Sequence, residues 1–488
     1  MNSRRWFLLA LSSVSLLMGL GCGSDTTSPD HSVDSAAGPR AATTQYPIVF
    51  VLLSGLRPDM VGALGGSGGW TPNIDAFAQE ADWVGTSVVA SSTPVVSLTS
   101  LMAGVSPWHH QILDQLQSRP RGDLPLLAQA LTDLGYRTEA RIPVEYRLHR
   151  FGLLEGFETT APIEPIADTA GDLRLLTDQP VLYWLHLLEA SAPYKRRDEQ
   201  IPRLAALSEG LPNKITARSL WPYADPAVPL PARQRRELRQ LFSHEVAWAD
   251  LQVGEILEAV RASTSWDKAW IILTATQGTE LGDHGQVLFS QNLKRASIEV
   301  PLLIKLPQGL KDSRLRVSPE HRVEQRRLWT TLVEAAGGEV GPIHAPSLFR
   351  VGPLPIVSEL YSRNGVNQFS FLKGETQLIW SKRFAPPEPE YFRAQFARSG
   401  GRVALSEAPH RLFRRMTADF RRARPFSGSA DDEPPELNLE RWTENGVEEV
   451  EDAELAEELA GELWLQLRRF VEEERAPGEE STLSRPAR

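Results

Sequence analysis

The sequence predicts an α/β protein with a mainly parallel central sheet flanked by helices, followed by a smaller C-terminal α+β subdomain. Three observations carry this expectation. Apolar runs of strand length recur at Pro47–Leu53, Val181–Leu187, Ala269–Leu273 and Val300–Ile304. They are apolar at successive positions, as in parallel strands covered on both faces. Helical patterns separate them, which is the signature of crossover connections.

The first run opens the stretch YPIVFVLLSGLRPDMVG, Tyr46 to Gly62. It is rich in β-branched residues and stops at Ser54-Gly55. A central strand of an open α/β sheet delivers its end to the carboxyl edge, where ligands bind, so Ser54 and Gly55 hold a site position. Thr71-Pro72-Asn73-Ile74-Asp75-Ala76-Phe77-Ala78 then opens a helix, with Thr71 as its cap, Pro72 in the first turn and Asp75 at the positive end. A strand-like run covers Trp83 to Ala90, a short buried helix Ser97 to Ala103, and a further helix Leu124 to Gly135. A long amphipathic helix runs from about Ala232 to about Ala262, with Phe242, Val246, Ala249, Val253 and Leu257 at three-to-four spacing. Arg326 to Ala336 is helical and ends at Gly337-Gly338. After Pro355 the texture changes. Phe369–Leu372 and Gln377–Trp380 pair as a hairpin, an Arg-rich irregular stretch follows, and Asp452 to Glu474 is an acidic helix.

The 488-residue chain has room for one large domain and a smaller one. Its net charge of −10 argues against nucleic acid as a partner, because phosphate binding relies on clustered positive charge. Arg4 and Arg5 precede the apolar run Trp6 to Leu20, which is patterned as a signal peptide. Ser3-Arg4-Arg5-Trp6-Phe7-Leu8 resembles the twin-arginine export motif. Gly19-Leu20-Gly21-Cys22 resembles a bacterial lipobox, although Gly19 stands where Leu is usual. Cys22 is the single cysteine, so no intramolecular disulfide forms, and it is read as the lipidation site. The expected organisation is residues 1–22 signal peptide, 23–44 flexible tether, 45–352 α/β domain, 353–475 C-terminal subdomain and 476–488 disordered tail. The expected location is the bacterial cell envelope, exported and lipid-anchored. Gly23 rather than Asp after Cys22 favours the outer membrane.

Five stretches, in order, resemble the sulfatase family of the alkaline phosphatase superfamily. TPNIDAFAQEADW is similar to T-P-N-L-D-x-L-A-x-E-G-x-x-F, and SLTSLMAGVSPWHH to S-x-A-S-L-L-T-G-x-x-P-x-x-H. FSHEVAWADLQVG fits Y-x-x-E-V-x-x-x-D-x-x-V-G. GTELGDHG and ASIEVPLLIKLP fit G-E-x-L-G-x-H-G and S-I-R-V-P-L-I-I-x-x-P. The resemblance spans Tyr46 to Val471 and implies an alkaline phosphatase/sulfatase-like fold.

It also implies a calcium ion and a formylglycine, and here the chain departs from the pattern. Two Asp end the family's first strand; those places hold Ser54 and Gly55. The third and fourth residues of a later T-S-D-H/N-G stretch are further ligands; those places hold Thr276 and Gln277. Calcium wants six to eight oxygens, several of them anionic, and these four residues offer no charge. Pro94 falls at the nucleophile position, and proline cannot serve. A gapped alignment through Ser92-Thr93-Pro94 makes Ser92 or Thr93 the candidates, each otherwise a loop or capping hydroxyl. Ser191 stands where the family has a sulfate-contacting His. Gln291 and Lys294 lie near the place of its substrate-contacting Lys.

Asp59, His109, His110, Glu280, Asp283 and His284 are either a relocated metal site or framework residues. Arg57 is a candidate anion-binding group or half of an ion pair. Arg411, Arg414, Arg415, Arg421, Arg422 and Arg424 form the densest basic cluster, suited to an anionic glycan, lipid head groups or a partner protein, or else a solvated face. The leading expectation is an envelope lipoprotein with a sulfatase fold and a degenerate site, binding a ligand or partner and using neither calcium nor formylglycine. The alternatives are an active sulfuric- or phosphoric-ester hydrolase with relocated catalytic residues, and a scaffold that docks another envelope protein.

Overall fold

Strand Ile48–Leu53 lies inside an eight-stranded sheet. The computed structural model describes residues 45–113, 124–144, 148–224, 228–311, 315–361, 366–383, 435–444 and 446–473. In spatial order the strands are Val323–Glu324, Trp83–Val88, Glu299–Lys305, Trp270–Ala275, Ile48–Leu53, Val181–Leu187, Arg137–Ile142 and Thr159–Pro162. Glu299–Lys305 runs antiparallel to both neighbours, and the other pairings are parallel.

Alternation along the central strand explains its all-apolar sequence. Val49, Val51 and Leu53 enter one core with Leu238, Phe242, Val246, Val253 and Leu257 of the 31-residue helix Ala232–Ala262. Ile48, Phe50 and Leu52 enter the opposite core with Leu98 and Leu101 of helix Pro94–Ala103 and Leu328 and Leu332 of helix Arg327–Ala335. Each such side chain contributes about 1.5–3 kcal/mol through burial, so the strand is fixed from both faces.

The C-terminal sheet is an antiparallel meander: Ile356–Tyr361, Val366–Lys373, Thr376–Arg383, Glu436–Thr443 and Gly446–Val450. The expected hairpin is its second and third strands, turned at Gly374 with φ +63°. Helix Ala453–Glu473 lays Ala456, Leu459, Leu463 and Leu467 against Phe369, Leu378 and Trp380. Ile356, Leu360, Leu372 and Trp442 pack into the large domain.

One capping expectation is corrected. Thr71 makes no side-chain cap on helix Pro72–Ala78; its Oγ1 instead accepts from Gly62 N at 3.0 Å. The buried carboxylate of Asp250, from the long helix, takes Asn73 N at 3.1 Å and Ile74 N at 2.9 Å. A charged acceptor forms stronger bonds than a hydroxyl, which frees Thr71 for the neighbouring turn.

Candidate functional site

Three parallel strands end side by side. Leu53 is in register with Leu187 on one side and Ala275 on the other. Backbone bonds continue past the sheet: Ser54 N donates to Leu187 O at 2.9 Å, Thr276 N to Leu53 O at 2.9 Å, and Gly55 N to Gln277 O at 3.1 Å. Ser54, Gly55, Thr276 and Gln277, assigned to one site from sequence, are thus brought together. Ser191 joins them, its hydroxyl donating to Ser54 O at 3.1 Å.

The side chains there bond to one another. Ser54 Oγ lies 3.0 Å from His186 Nε2 and 3.1 Å from Thr276 Oγ1. Thr276 Oγ1 also contacts the amide oxygen of Gln277. Ser97 Oγ, on helix Pro94–Ala103, donates to Thr276 O at 2.6 Å. Burial drives the His186 pKa down to about 3, so its imidazole is neutral at ordinary pH. Ser54, His186, Thr276 and Gln277 are all buried. The strand ends are closed by uncharged polar groups.

These residues do not fit a calcium ion. Gly55 contributes no side chain, and a Cβ on it would meet Ala190 O at 2.1 Å. Its φ of +87° is a further barrier to any L residue. The oxygens of Ser54, Thr276 and Gln277 are engaged with each other, and none is anionic. Among the described residues, no three His, Cys, Asp or Glu side chains converge as a metal-holding group.

The stretch Ser92-Thr93-Pro94, expected to align with the family's nucleophile, is held in local structure. Helix Pro94–Ala103 begins three residues earlier than the expected Ser97, with Pro94 in its first turn, where a missing N–H costs nothing. Thr93 occupies the N-cap place without a side-chain cap bond, so the capping role expected of it is not realised. Ser92 is fully buried, and its Oγ has no hydrogen-bond partner among the described residues. An activated serine needs a base within hydrogen-bond reach. Ser92 O instead accepts from Ser290 N at 3.1 Å. Leu288 and Ser290 hold left-handed φ values of 71° and 61°, strain that no sequence pattern announced.

The residues shared with the family motifs act as struts. Glu245, fully buried, accepts from Lys195 N at 2.7 Å and from Arg197 at 2.6 Å, pinning the loop after strand Val181–Leu187. Gly254 meets Asn73, and a Cβ there would sit 2.7 Å from its amide carbon. Ser100 Oγ lies 2.8 Å from His110 Nε2, and Ser106 Oγ lies 2.8 Å from His109 Nδ1. Glu280 accepts from Asn292 and Ser297, both at 3.1 Å, and lies 3.0 Å from His284 Nδ1. Arg57 lies between Asp59 and Asp283, 2.6 Å from each, and Arg239 reaches the other oxygen of Asp283. Burial works against the Arg57 charge, but the two carboxylates outweigh it and raise its pKa. Lys294 pairs with Glu440 at 2.5 Å.

His186 is the site residue that sequence reasoning passed over. Its signal was a lone imidazole in the otherwise apolar and aromatic strand VLYWLHL. Cys22 and the cluster Arg411, Arg414, Arg415, Arg421, Arg422 and Arg424 lie outside the described residues, as do the tether and the tail.

No protein-family model and no curated protein matches the chain. Solved structures do. A 2-O GAG sulfatase superposes with a TM-score of 0.51 at 16% identity, over 78% of this chain and 90% of that one. A phosphonate monoester hydrolase of Agrobacterium radiobacter gives 0.50 at 15% identity, over 84% and 100%. An alkaline phosphatase superfamily protein from Vibrio parahaemolyticus gives 0.50 at 14% identity, over 87% and 88%. At such identities the likeness speaks for architecture: this chain has the fold of the sulfatases and the wider alkaline phosphatase superfamily.

Proposed function

We propose that this protein is a non-catalytic form of the sulfatase fold, which binds a ligand or partner and hydrolyses no ester. The observation that carries the reading is the state of the strand ends. Ser54, Thr276 and Gln277 are buried, and their side-chain oxygens are engaged with one another and with His186, while Gln277 Nε2 has no partner among the described residues; the Gly55 backbone leaves no space for a side chain. Charged ligands have been replaced by a neutral, interlocked set, which relieves the repulsion that crowded carboxylates suffer without a metal.

A second reading, an active ester hydrolase, draws on the 3.0 Å approach of Ser54 Oγ to His186 Nε2, which is nucleophile-to-base spacing. Two features weigh against it. Both side chains are buried, and the same Ser–His pairing recurs at Ser100–His110 and Ser106–His109 inside the framework. Aryl-ester hydrolysis by the full chain and by its Ser54→Ala variant separates the readings. The proposal expects no release above background from either; release that the substitution abolishes would sink it.

Residues 1–44 are proposed to export the chain and tether it to the envelope through an acylated Cys22, with the outer membrane as the destination. Among the described residues no helix is long and apolar enough to cross a membrane. The proposed partners are an anionic glycan or another envelope protein.

A further inference from the structure

A cleft of about 500 Å³ lies between the loop Glu209-Gly210-Leu211 and the first turns of the long helix, where Arg233, Arg236, Glu237, Arg239 and Gln240 line it. Resting on the non-catalytic reading, we propose that this cleft is a binding site for an anionic polysaccharide, whose acidic groups meet the arginines while its hydroxyls meet the carboxylates.

Arg233, Arg236 and Arg239 recur every third residue, so successive guanidiniums step about 4.5 Å along the axis. All three are exposed. Arg233 Nε is held by Glu237 at 2.7 Å, and Arg239 is held by Asp283. Each guanidinium has five N–H donors, so both keep donors for a ligand while their orientation is fixed. Arg236 has no ion-pair partner among the described residues. A chain of net charge −10 repels polyanions in general, so a local run of three arginines is a selective feature.

The class of ligand follows from the mixed lining. Glu209 and Glu237 are acceptors that repel a bare polyphosphate or an acidic peptide but take hydrogen bonds from sugar hydroxyls. Arg239 connects the cleft to the large domain's loops, bonding Asp283, which in turn bonds Arg57. Sulfate and carboxylate groups satisfy the same chemistry.

The test is binding of the full chain to dextran sulfate, polygalacturonate, neutral dextran and poly-L-glutamate at fixed salt. At least one of the two acidic polysaccharides is expected to bind, and which one does tells the two anionic groups apart. Neutral dextran and poly-L-glutamate are expected to bind at least tenfold more weakly. An Arg233→Ala/Arg236→Ala double variant, and separately Arg236→Gln, should weaken polysaccharide binding at least tenfold with an unchanged melting temperature. Arg218→Ala, an exposed arginine outside the cleft, should leave it unchanged. The proposal is overturned if neither acidic polysaccharide binds, if the cleft variants bind like the parent, or if poly-L-glutamate binds as tightly. An ester-hydrolysis assay reads the non-catalytic proposal separately, so failure of one leaves the other legible.

Discussion

Ser54 Oγ and His186 Nε2 stand 3.0 Å apart at the ends of adjacent parallel strands, where the strand register sets Leu52 beside His186. The pair makes the strand end part of a buried polar core. Ser54 also contacts Thr276, so one hydroxyl ties three strands together.

Replacing Ser54 with Ala leaves buried polar atoms on His186 and Thr276 short of a partner. Such losses cost about 1–3 kcal/mol. Urea unfolding of Ser54→Ala should show that loss, with no change in the rate of aryl-ester hydrolysis above background. A hydrolytic rate that fell with the substitution would make Ser54 a nucleophile.

Gly55 is held more stringently than Ser54. An Ala there must adopt a φ near +87° and place its Cβ 2.1 Å from Ala190 O. Strain and overpacking of about 1–3 kcal/mol each predict that Gly55→Ala costs about 2–6 kcal/mol. Gly55→Asp should be at least as destabilised and should gain no calcium affinity. A stable Gly55→Asp that bound calcium would show that the loop at Ala190 gives way.

The large sheet and both its cores were legible in the sequence because strands covered on two faces leave continuous apolar runs. The long helix was legible from its apolar spacing. The short edge strands Thr159–Pro162 and Val323–Glu324 were not, since a few paired residues at a margin carry no period. Ser54, Gly55, Thr276 and Gln277 were found by their place in the order of motifs. How they satisfy one another was not, because it depends on contacts between residues as distant as Ser54 and Thr276. The Gly55–Ala190 approach and the strained Leu288 and Ser290 are likewise tertiary facts.

Asp283 supplies an acid-sensitive contact. Burial favours its neutral form, but the charge of Arg57, aided by Arg239, outweighs that and depresses its pKa from 3.8 to about 2. Its stabilisation is complete above the unfolded value and is lost as pH falls from about 4 to about 2, roughly 2 kcal/mol in all. Asp283→Asn should abolish that segment of the stability–pH curve. An unchanged acid limb in the variant would assign the transition to other carboxyls.

Glu359 behaves in the opposite sense. Burial raises its pKa from 4.5 to about 7, against a 2.7 Å hydrogen bond from Tyr361 and the nearby charge of Arg326. The folded state therefore retains a proton that the unfolded chain has lost, and stability declines as pH rises from about 4.5 to about 7. The decline approaches about 3 kcal/mol. Glu359 N bonds Ala90 O at 2.8 Å, so the effect acts where the C-terminal sheet meets the loop leading to Ser92. Glu359→Gln should flatten this part of the curve; a variant with the parent slope would clear Glu359.

The non-catalytic reading is tested most directly by the initial rate of p-nitrophenyl sulfate and p-nitrophenyl phosphate hydrolysis by the purified full chain with calcium present. Release no faster than with heat-denatured protein is expected. Saturable release that calcium accelerates, or that Ser54→Ala, Ser92→Ala or Thr93→Ala abolishes, would contradict the non-catalytic reading.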